Sequence, residues 1–159
     1  MISKITVAPE DVRSRDSEQL IRELSTELGV LYDSDGNAGF HPSDIEVPRA
    51  AFVVARVEGH PVGCGALRLL DDTTVEVKRM YTRSDYRRKG VAQAILAEID
   101  RLAIEFGYSS IKLQIGPKQP EAAALYERVG YYRIPIFSGY WDLVLAYQKD
   151  LTLVPGKPY

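Results

Sequence analysis

The chain has 159 residues, 45% of them hydrophobic, and its 20 basic and 22 acidic side chains leave a formal net charge of −2. This length and apolar content are typical of one globular domain over residues 1–159, and they exclude an extended disordered chain. The near-neutral charge argues against a protein that coats nucleic acid, because such binding needs many cations facing phosphates. The single cysteine, Cys64, excludes an internal disulfide framework.

No segment has the pattern of a membrane span or a secretory signal. Lys4, Glu10 and Asp11 interrupt the apolar residues near the N-terminus, whereas a signal peptide needs a continuous apolar run. No stretch reaches the roughly 18 apolar residues of a spanning helix. We therefore predict no membrane association and a soluble protein of the cytoplasm.

The first third of the chain predicts a strand, a helix and a long loop. The strand covers residues 1–7. The helix is predicted to begin at the cap Asp16, with Gln19 reaching back to it, and to end at Gly29. Residues 32–48 are rich in Asp, Ser, Gly, Asn and Pro, which predicts a loop with room for one helical turn.

Three antiparallel strands are predicted next. Two apolar runs, 51–57 and 62–70, flank a turn at 58–61, and a break at 71–74 leads into the alternating segment 75–81. Strict alternation assigns the side chains of this last segment to two opposite faces. One face is predicted to carry Val75, Val77, Arg79 and Tyr81, and the other Glu76, Lys78 and Met80.

In the second half of the chain, the spacing of the apolar residues changes first to that of a helix. Apolar residues at helical spacing run from Val91 to Phe106 and predict a helix that Gly107 ends. Residues 110–115 alternate as a strand, 120–129 predict a helix that opens with a proline, and 143–148 predict a final strand. The order strand, helix, three strands, helix, strand, helix, strand indicates an α/β sandwich.

Segment 81–92 joins a predicted strand to the start of the most periodic helix. The first amides of a helix lack intrahelical partners and lie at the positive end of its dipole. Gly90 and Ala92 leave room for a phosphate, and a basic run, 87–89, adds positive charge. The segment therefore predicts a pyrophosphate-binding turn, and the alternative is a solvated basic run.

Two short motifs occur in order along the chain. Residues 87–92, Arg-Arg-Lys-Gly-Val-Ala, follow the alternating segment 75–81, and residues 121–131 read EAAALYERVGY. On these motifs the chain resembles the GNAT superfamily of acetyl-CoA-dependent N-acetyltransferases, whose signature is Gln/Arg-x-x-Gly-x-Gly/Ala and whose late element is A-x-x-Leu-Tyr-x-x-x-Gly-Phe/Tyr. The resemblance implies a single α/β domain with a mixed, mostly antiparallel central sheet flanked by helices and a splay between the fourth and fifth strands.

The same resemblance implies acetyl-CoA as the acyl donor. The pyrophosphate would contact the basic turn, and the pantetheine arm would pair with the preceding strand like an added strand. The cofactor-binding positions implied in this way are Met80, Tyr81, Thr82, Arg87, Arg88, Lys89, Gly90, Val91 and Ala92.

Two residues are implied as catalytic by their positions in the motifs. Tyr126 occupies the tyrosine position of the late element, and a phenol with a pKa near 10 can protonate the departing thiolate. Glu76 matches a strand position where several members of the superfamily carry a catalytic glutamate, and we assign it as the general base. The alternatives are a packing role for Tyr126 and, for Glu76, a surface carboxylate paired with Lys78.

The predicted acceptor is the primary amine of a small molecule, for which an amino acid or a related metabolite is one candidate. Acidic residues of the early loop (Asp33, Asp35, Asp44) would attract a cationic amine, whereas cations of the middle strands (Arg68, Lys78, Arg79) would meet a carboxylate. A third interpretation is that both sets are solvated. The aromatic residues Tyr131, Tyr132, Phe137, Tyr140 and Trp141 are candidates for a pocket wall.

Other functions remain as alternatives on the same fold. A non-catalytic acetyl-CoA sensor or interaction module would need the basic turn but neither predicted catalytic residue. An acetyltransferase that acts on a protein amine is a further alternative. We predict no metal site, because His41, His60 and Cys64 lack metal-ligand spacing. We also predict no nucleic-acid partner, and a homodimer is left open.

Overall fold

Seven strands form one sheet in the part of the chain that the structure describes. The structure is a computed structural model and describes residues 4–139 and 143–151. The strands lie in the order β1-β2-β3-β4-β5-β7-β6, and all neighbours are antiparallel except β4 and β5. Their bounds are β1 Ile5–Pro9, β2 Ala51–Val57, β3 His60–Leu69, β4 Thr74–Thr82, β5 Ser110–Ile115, β6 Tyr132–Ile134 and β7 Leu145–Asp150.

Helices cover both faces of this sheet. The helices are α1 Arg15–Tyr32, α2 Val91–Glu105 and α3 Pro120–Arg128, and short 3-10 turns lie at Pro42–Ile45 and Ser84–Tyr86. Among residues 4–139 and 143–151, none of the helices combines the length and apolarity that a bilayer span requires. The predicted α/β class with a mostly antiparallel sheet is confirmed.

Alternating side chains of β2 divide the core between the two faces. Val53 and Ala55 pack in the cluster that contains the buried apolar residues of α2 and α3. Phe52 and Val54 pack on the opposite face with Leu20 of α1. Because successive side chains of β2 alternate between the two faces, this central strand contributes to the apolar core on both sides of the sheet. A sheet covered by helices on both faces requires this.

The predicted bounds of the first helix were wrong at both ends. Ser14, not Asp16, is the cap, and its hydroxyl accepts a hydrogen bond from the Ser17 amide at 3.1 Å. The helix passes Gly29 and ends at Tyr32, where the left-handed backbone of the C-cap residue Asp33 (φ 53°) closes it. A Cβ at Gly29 would lie 2.7 Å from the Ser34 carbonyl oxygen, so this glycine lets the returning chain approach the helix.

A β-bulge in β4 overturns the predicted faces of that strand. Lys78 pairs with Ala66 and Tyr81 with Cys64, so two residues of β4, Arg79 and Met80, oppose one residue of β3. The backbone of Arg79 is left-handed, with φ 57°, and the extra residue shifts the alternation that follows it. Arg79 and Tyr81 consequently face α1 with Glu76 and Lys78, whereas Met80 packs on the α2 face with Val75 and Val77.

The remaining differences lie at the ends of elements and at one short strand. β3 begins at His60, within the segment predicted as a turn, and the first three residues of the predicted N-terminal strand lie outside the described residues. The three-residue strand β6 was missed, because it is too short to show alternation and lies between prolines and glycines. Of the predicted aromatic cluster, Tyr140 and Trp141 lie outside the described residues.

Candidate active site

The fourth and fifth strands separate midway along the sheet, as predicted. β4 pairs with β5 only at residues 74–76, opposite residues 110–112. Beyond this point β5 continues alongside β7 as far as the pair Ile115 and Leu145. Within the described chain, the edge of β4 over residues 77–82 that faces the gap has no strand partner. The backbone of this edge can therefore pair with an extended ligand.

A cavity of about 520 Å³ opens at this gap. Its walls come from β4, from the second half of α1, from the loop after α1, and from the segments around α3 and residue 138. The lining includes Glu76, Met80 and Tyr126 of the predicted site residues, with Lys78, Arg68 and Arg79 beside them. The structure thus brings both predicted catalytic residues into one cavity, whereas the other predicted cofactor-binding residues do not line it.

Tyr126 lies on α3 with only 4% of its surface exposed. Its ring contacts those of Tyr131 and Tyr147, with centroids 5.5 and 6.3 Å away. Burial raises the pKa of Tyr126, so the phenol stays protonated throughout the neutral range. The hydroxyl donates no hydrogen bond to any described residue, which leaves its proton available to a ligand in the cavity.

Glu76 is 2% exposed and forms a buried ion pair. Arg68 donates from Nη2 and Nε to one oxygen of Glu76, Oε1, at 2.9 and 3.2 Å, and also contacts Asp44 at 2.9 Å. The alternative of a surface carboxylate paired with Lys78 is therefore wrong, because the Lys78 ammonium donates to the carbonyl of Ala38 instead. Arg68 was not predicted as the partner of Glu76. The register of β3 and β4 would have indicated the pair, because the two residues lie directly opposite each other.

The predicted pyrophosphate turn lies at the start of α2. Gly90 caps the helix with φ 86°, and a Cβ at this residue would meet no atom within 4 Å. The first intrahelical hydrogen bond runs from Ala94 to Gly90 at 3.0 Å, so the amides of residues 91–93 lack intrahelical partners. An open glycine in front of unpaired amides is the geometry that helix N-termini use to bind phosphate.

The three basic side chains of this turn differ in the contacts that they make. Arg87 donates to the Thr82 carbonyl and pairs with Glu27 of α1 at 2.6 Å. The Arg88 side chain is 89% exposed, and its nearest carboxylate, on Glu121, is 3.8 Å away. Lys89 lies over the ring of Tyr86. The structure therefore ties Arg87 to α1 and leaves Arg88 and Lys89 extended towards solvent.

Glu23 of α1 binds side chains at the end of β4 and just after it. Its carboxylate accepts two hydrogen bonds from Arg83, at 2.8 and 2.9 Å, and one from the Tyr81 hydroxyl at 3.1 Å. The predicted binding residue Tyr81 thus directs its side chain away from the gap, and only its backbone can contribute there. Met80 lines the cavity, and its side chain packs on the α2 face of the sheet.

We expect Glu23→Gln to weaken the fold at neutral pH and less so in acid. The hydrogen bond from Arg83 lowers the pKa of Glu23. Because this pKa is lower in the folded than in the unfolded chain, the stabilisation is present above the unfolded value of roughly 4.3 and is lost as pH falls through the folded value. Urea midpoints of both proteins should differ at pH 7 and converge below about pH 4. A difference of equal size at both pH values would contradict this assignment, and Glu18→Gln on the same helix is the control.

Comparison with known proteins decides the family. The family model described as the acetyltransferase (GNAT) family matches residues 17–131. The chain belongs to this family. The acetyltransferase is 33% identical over 128 residues to an IAA acetyltransferase of Azospirillum brasilense, covering 80% of this chain and 84% of that protein. It is also 37% identical over 100 residues to the N-acetylaspartate synthetase of Xenopus tropicalis, covering 59% of this chain and 37% of that protein.

Solved structures agree with this assignment. A Klebsiella pneumoniae protein provisionally assigned as an acyl-CoA N-acyltransferase superposes with a TM-score of 0.78 at 25% identity, covering 93% of this chain and 98% of that one. A GNAT acetyltransferase of Elizabethkingia anophelis, solved with acetyl-CoA bound, shares the fold with a TM-score of 0.69 at 15% identity over 92% of this chain and 98% of that one. The predicted family and acyltransferase activity are confirmed.

Proposed function

We propose that this acetyltransferase moves the acetyl group of acetyl-CoA to the primary amine of a small molecule by direct attack. The observation that carries the proposal is the cavity at the strand gap, which holds a protonated phenol and a buried carboxylate together. Its volume of about 520 Å³ is that of a small-molecule site. The relatives named for N-acetylaspartate and IAA support a small-molecule acceptor.

The donor is proposed to lie across the gap and the helical turn. The pyrophosphate would accept hydrogen bonds from the amides of residues 90–92, with Arg87, Arg88 and Lys89 around it. The pantetheine arm would pair with the free edge of β4 at residues 80–82, which brings the thioester to the cavity beside Met80. The fold shared with the Elizabethkingia anophelis structure, which was solved with acetyl-CoA bound, supports this path.

The proposed reaction needs one base and one acid. The neutral amine attacks the thioester carbonyl, and the resulting tetrahedral intermediate collapses when the carbon–sulfur bond breaks. Glu76 accepts the proton that the amine loses, through the oxygen that Arg68 leaves free, directly or by way of a water. Tyr126 donates its proton to the departing thiolate, so that coenzyme A leaves as a thiol.

Arg88→Ala is expected to raise the KM for acetyl-CoA about three- to tenfold and to leave kcat nearly unchanged, because an exposed cation strengthens donor binding without touching the reacting atoms. The effect should shrink at high salt, since screening weakens an exposed phosphate contact. Steady-state kinetics at 50 and 500 mM salt measure it. The matched control is Arg101→Ala, at an exposed position further along α2. If both variants have the same KM for acetyl-CoA as the wild type, Arg88 does not contribute to donor binding.

An amine panel tests the proposed function as a whole. Purified protein with acetyl-CoA should release coenzyme A thiol only when an acceptor amine is added, and mass spectrometry should find the acetylated amine. If acetyl-CoA raises the melting temperature but no small amine releases thiol, the sensor module replaces this proposal. If only peptides with free amines are acetylated, the acceptor is a protein.

A further inference from the structure

The cavity is lined by cations that are not all held in ion pairs. Its lining includes three cations, Arg68, Lys78 and Arg79, and two carboxylates, Glu76 and Asp35. Arg68 is paired with two carboxylates, those of Glu76 and Asp44. Neither Lys78 nor Arg79 has a carboxylate within ion-pair distance in the described chain. The wall formed by β4 therefore holds two cations that have no ion-pair partner among the described residues.

Arg79 is a buried cation whose partners are almost all neutral carbonyls. It is 5% exposed and donates to the backbone oxygens of Gly36, Asn37 and Ile21 and to the Ser25 hydroxyl. Its Nε is buried and has no hydrogen-bond partner among the described residues. These contacts fix Arg79 in place but do not neutralise its charge, which adds to the positive potential of the cavity wall.

Lys78 is the cation with spare donors. Its ammonium donates one hydrogen bond, to the Ala38 carbonyl at 2.8 Å, although an ammonium carries three protons. Burial and the neighbouring guanidinium groups lower the pKa of Lys78, and Glu76 opposes this change. A half-buried ammonium with one neutral partner is costly, and an anionic ligand in the cavity would offset that cost.

The shared position of Lys78 and Glu76 indicates what such a ligand looks like. The two side chains lie on the same face of β4, two residues apart and before the bulge, and both line the cavity. A molecule that carries an amine and a carboxylate a few bonds apart has one group for each of these two side chains. Its amine would then lie beside Glu76 and its carboxylate beside Lys78.

We infer that the acceptor is an amino acid whose carboxylate binds the Lys78 ammonium, so that its amine is presented to Glu76 and the thioester. This inference rests on the proposed function and names its substrate class. Lys78 acts as a specificity-determining residue: it holds the acceptor and takes no part in proton transfer.

Matched pairs of acceptors test the inference. L-Alanine and L-aspartate are compared with their α-carboxamides and with simple alkylamines, and kcat/KM is measured from released thiol. The wild type should prefer at least one amino acid over its carboxamide by about 30-fold or more, because a site built for a charged group rejects the neutral analogue. Lys78→Met should reduce this preference at least about tenfold, mainly through KM, and Lys78→Arg should restore part of it.

Lys112→Met is the control for Lys78→Met. Lys112 lies on the adjacent strand β5, over the ring of Phe137 and outside the cavity lining, so its removal should leave the preference unchanged. Comparing one pair of acceptors across variants also cancels the intrinsic difference in basicity between an amino acid and its amide. Melting temperatures establish that each variant is folded.

The outcomes separate this inference from the proposed function. If the wild type acetylates carboxamides or alkylamines as well as amino acids, or if Lys78→Met keeps the preference, the carboxylate site is overturned and the small-amine activity stands. If no amine in the panel releases thiol, both proposals fall. Acetylation of Lys78 itself, detected by mass spectrometry, would assign this lysine as an acceptor and also overturn the inference.

Discussion

Tyr126→Phe is expected to lower kcat by about tenfold or more while acetyl-CoA still binds. The phenol is buried in the cavity, its pKa is raised by burial, and its hydroxyl donates to no described residue. Removing the proton donor makes coenzyme A leave as an unprotonated thiolate, which raises the barrier for collapse of the intermediate. The change removes only one oxygen atom, so the packing of the ring is retained. Steady-state kcat and the Kd for acetyl-CoA are the measurements.

Tyr131→Phe is the matched control for this experiment. Tyr131 is also buried, its ring contacts Tyr126, and its hydroxyl has no partner among the described residues. Tyr131 does not line the cavity, so the loss of its hydroxyl should change kcat by less than about twofold. Wild-type turnover in Tyr126→Phe, or equal losses in both variants, would leave Tyr126 with a packing role only.

Glu76→Gln is expected to lower kcat/KM by about 100-fold and to change the shape of the pH–rate profile. The wild type can take the proton from an ammonium that is already bound, whereas the variant depends on amine that is neutral before it binds. The loss of rate in the variant should therefore be largest at low pH and should shrink as the pH approaches the pKa of the acceptor amine. A glutamine can still accept the hydrogen bonds from Arg68, so much of the local structure is kept. Rates across pH 5–9 with one acceptor measure the effect.

Asp44→Asn separates the catalytic role of Glu76 from its structural role. Asp44 is the other carboxylate on Arg68, and it does not line the cavity. Both variants remove one charge from the same ion-pair network, and each should cost about 1–3 kcal/mol of unfolding free energy. Only Glu76→Gln should alter the pH–rate profile. If the two variants share one profile with the wild type, Glu76 is a structural ion-pair partner and a water path serves as the base.

The elements that follow a clear period were predictable from the sequence. The apolar spacing of α2, the apolar run of β2 and the alternation of β5 each follow from burial of one or both faces, and their bounds agree with prediction within a few residues. The turn at residue 90 was also predictable, because a glycine between a strand and a periodic helix has few other uses. These features depend on residues that are close together in the sequence, and they can therefore be predicted from a single sequence.

What the sequence could not show depends on contacts between distant segments. The bulge at Arg79 is stabilised by carbonyls and a hydroxyl from α1 and the following loop. No pattern in the sequence of β4 itself predicts it. Glu76 and Lys78 are close in sequence, yet their partners Arg68 and Ala38 come from other segments. The end of α1 at Tyr32 likewise depends on the loop that returns against Gly29. Local pattern therefore located the candidate residues, while long-range packing determined their partners.

The most direct test of the account is a crystal structure with coenzyme A bound. We predict that the pantetheine arm pairs with the β4 backbone at residues 80–82 and that the pyrophosphate accepts hydrogen bonds from the amides of residues 90–92. The thiol sulfur should lie within about 3.5 Å of the Tyr126 hydroxyl, a distance at which a proton can be donated to it. A coenzyme bound outside the strand gap, or a sulfur separated from Tyr126 by protein atoms, would contradict the proposed site.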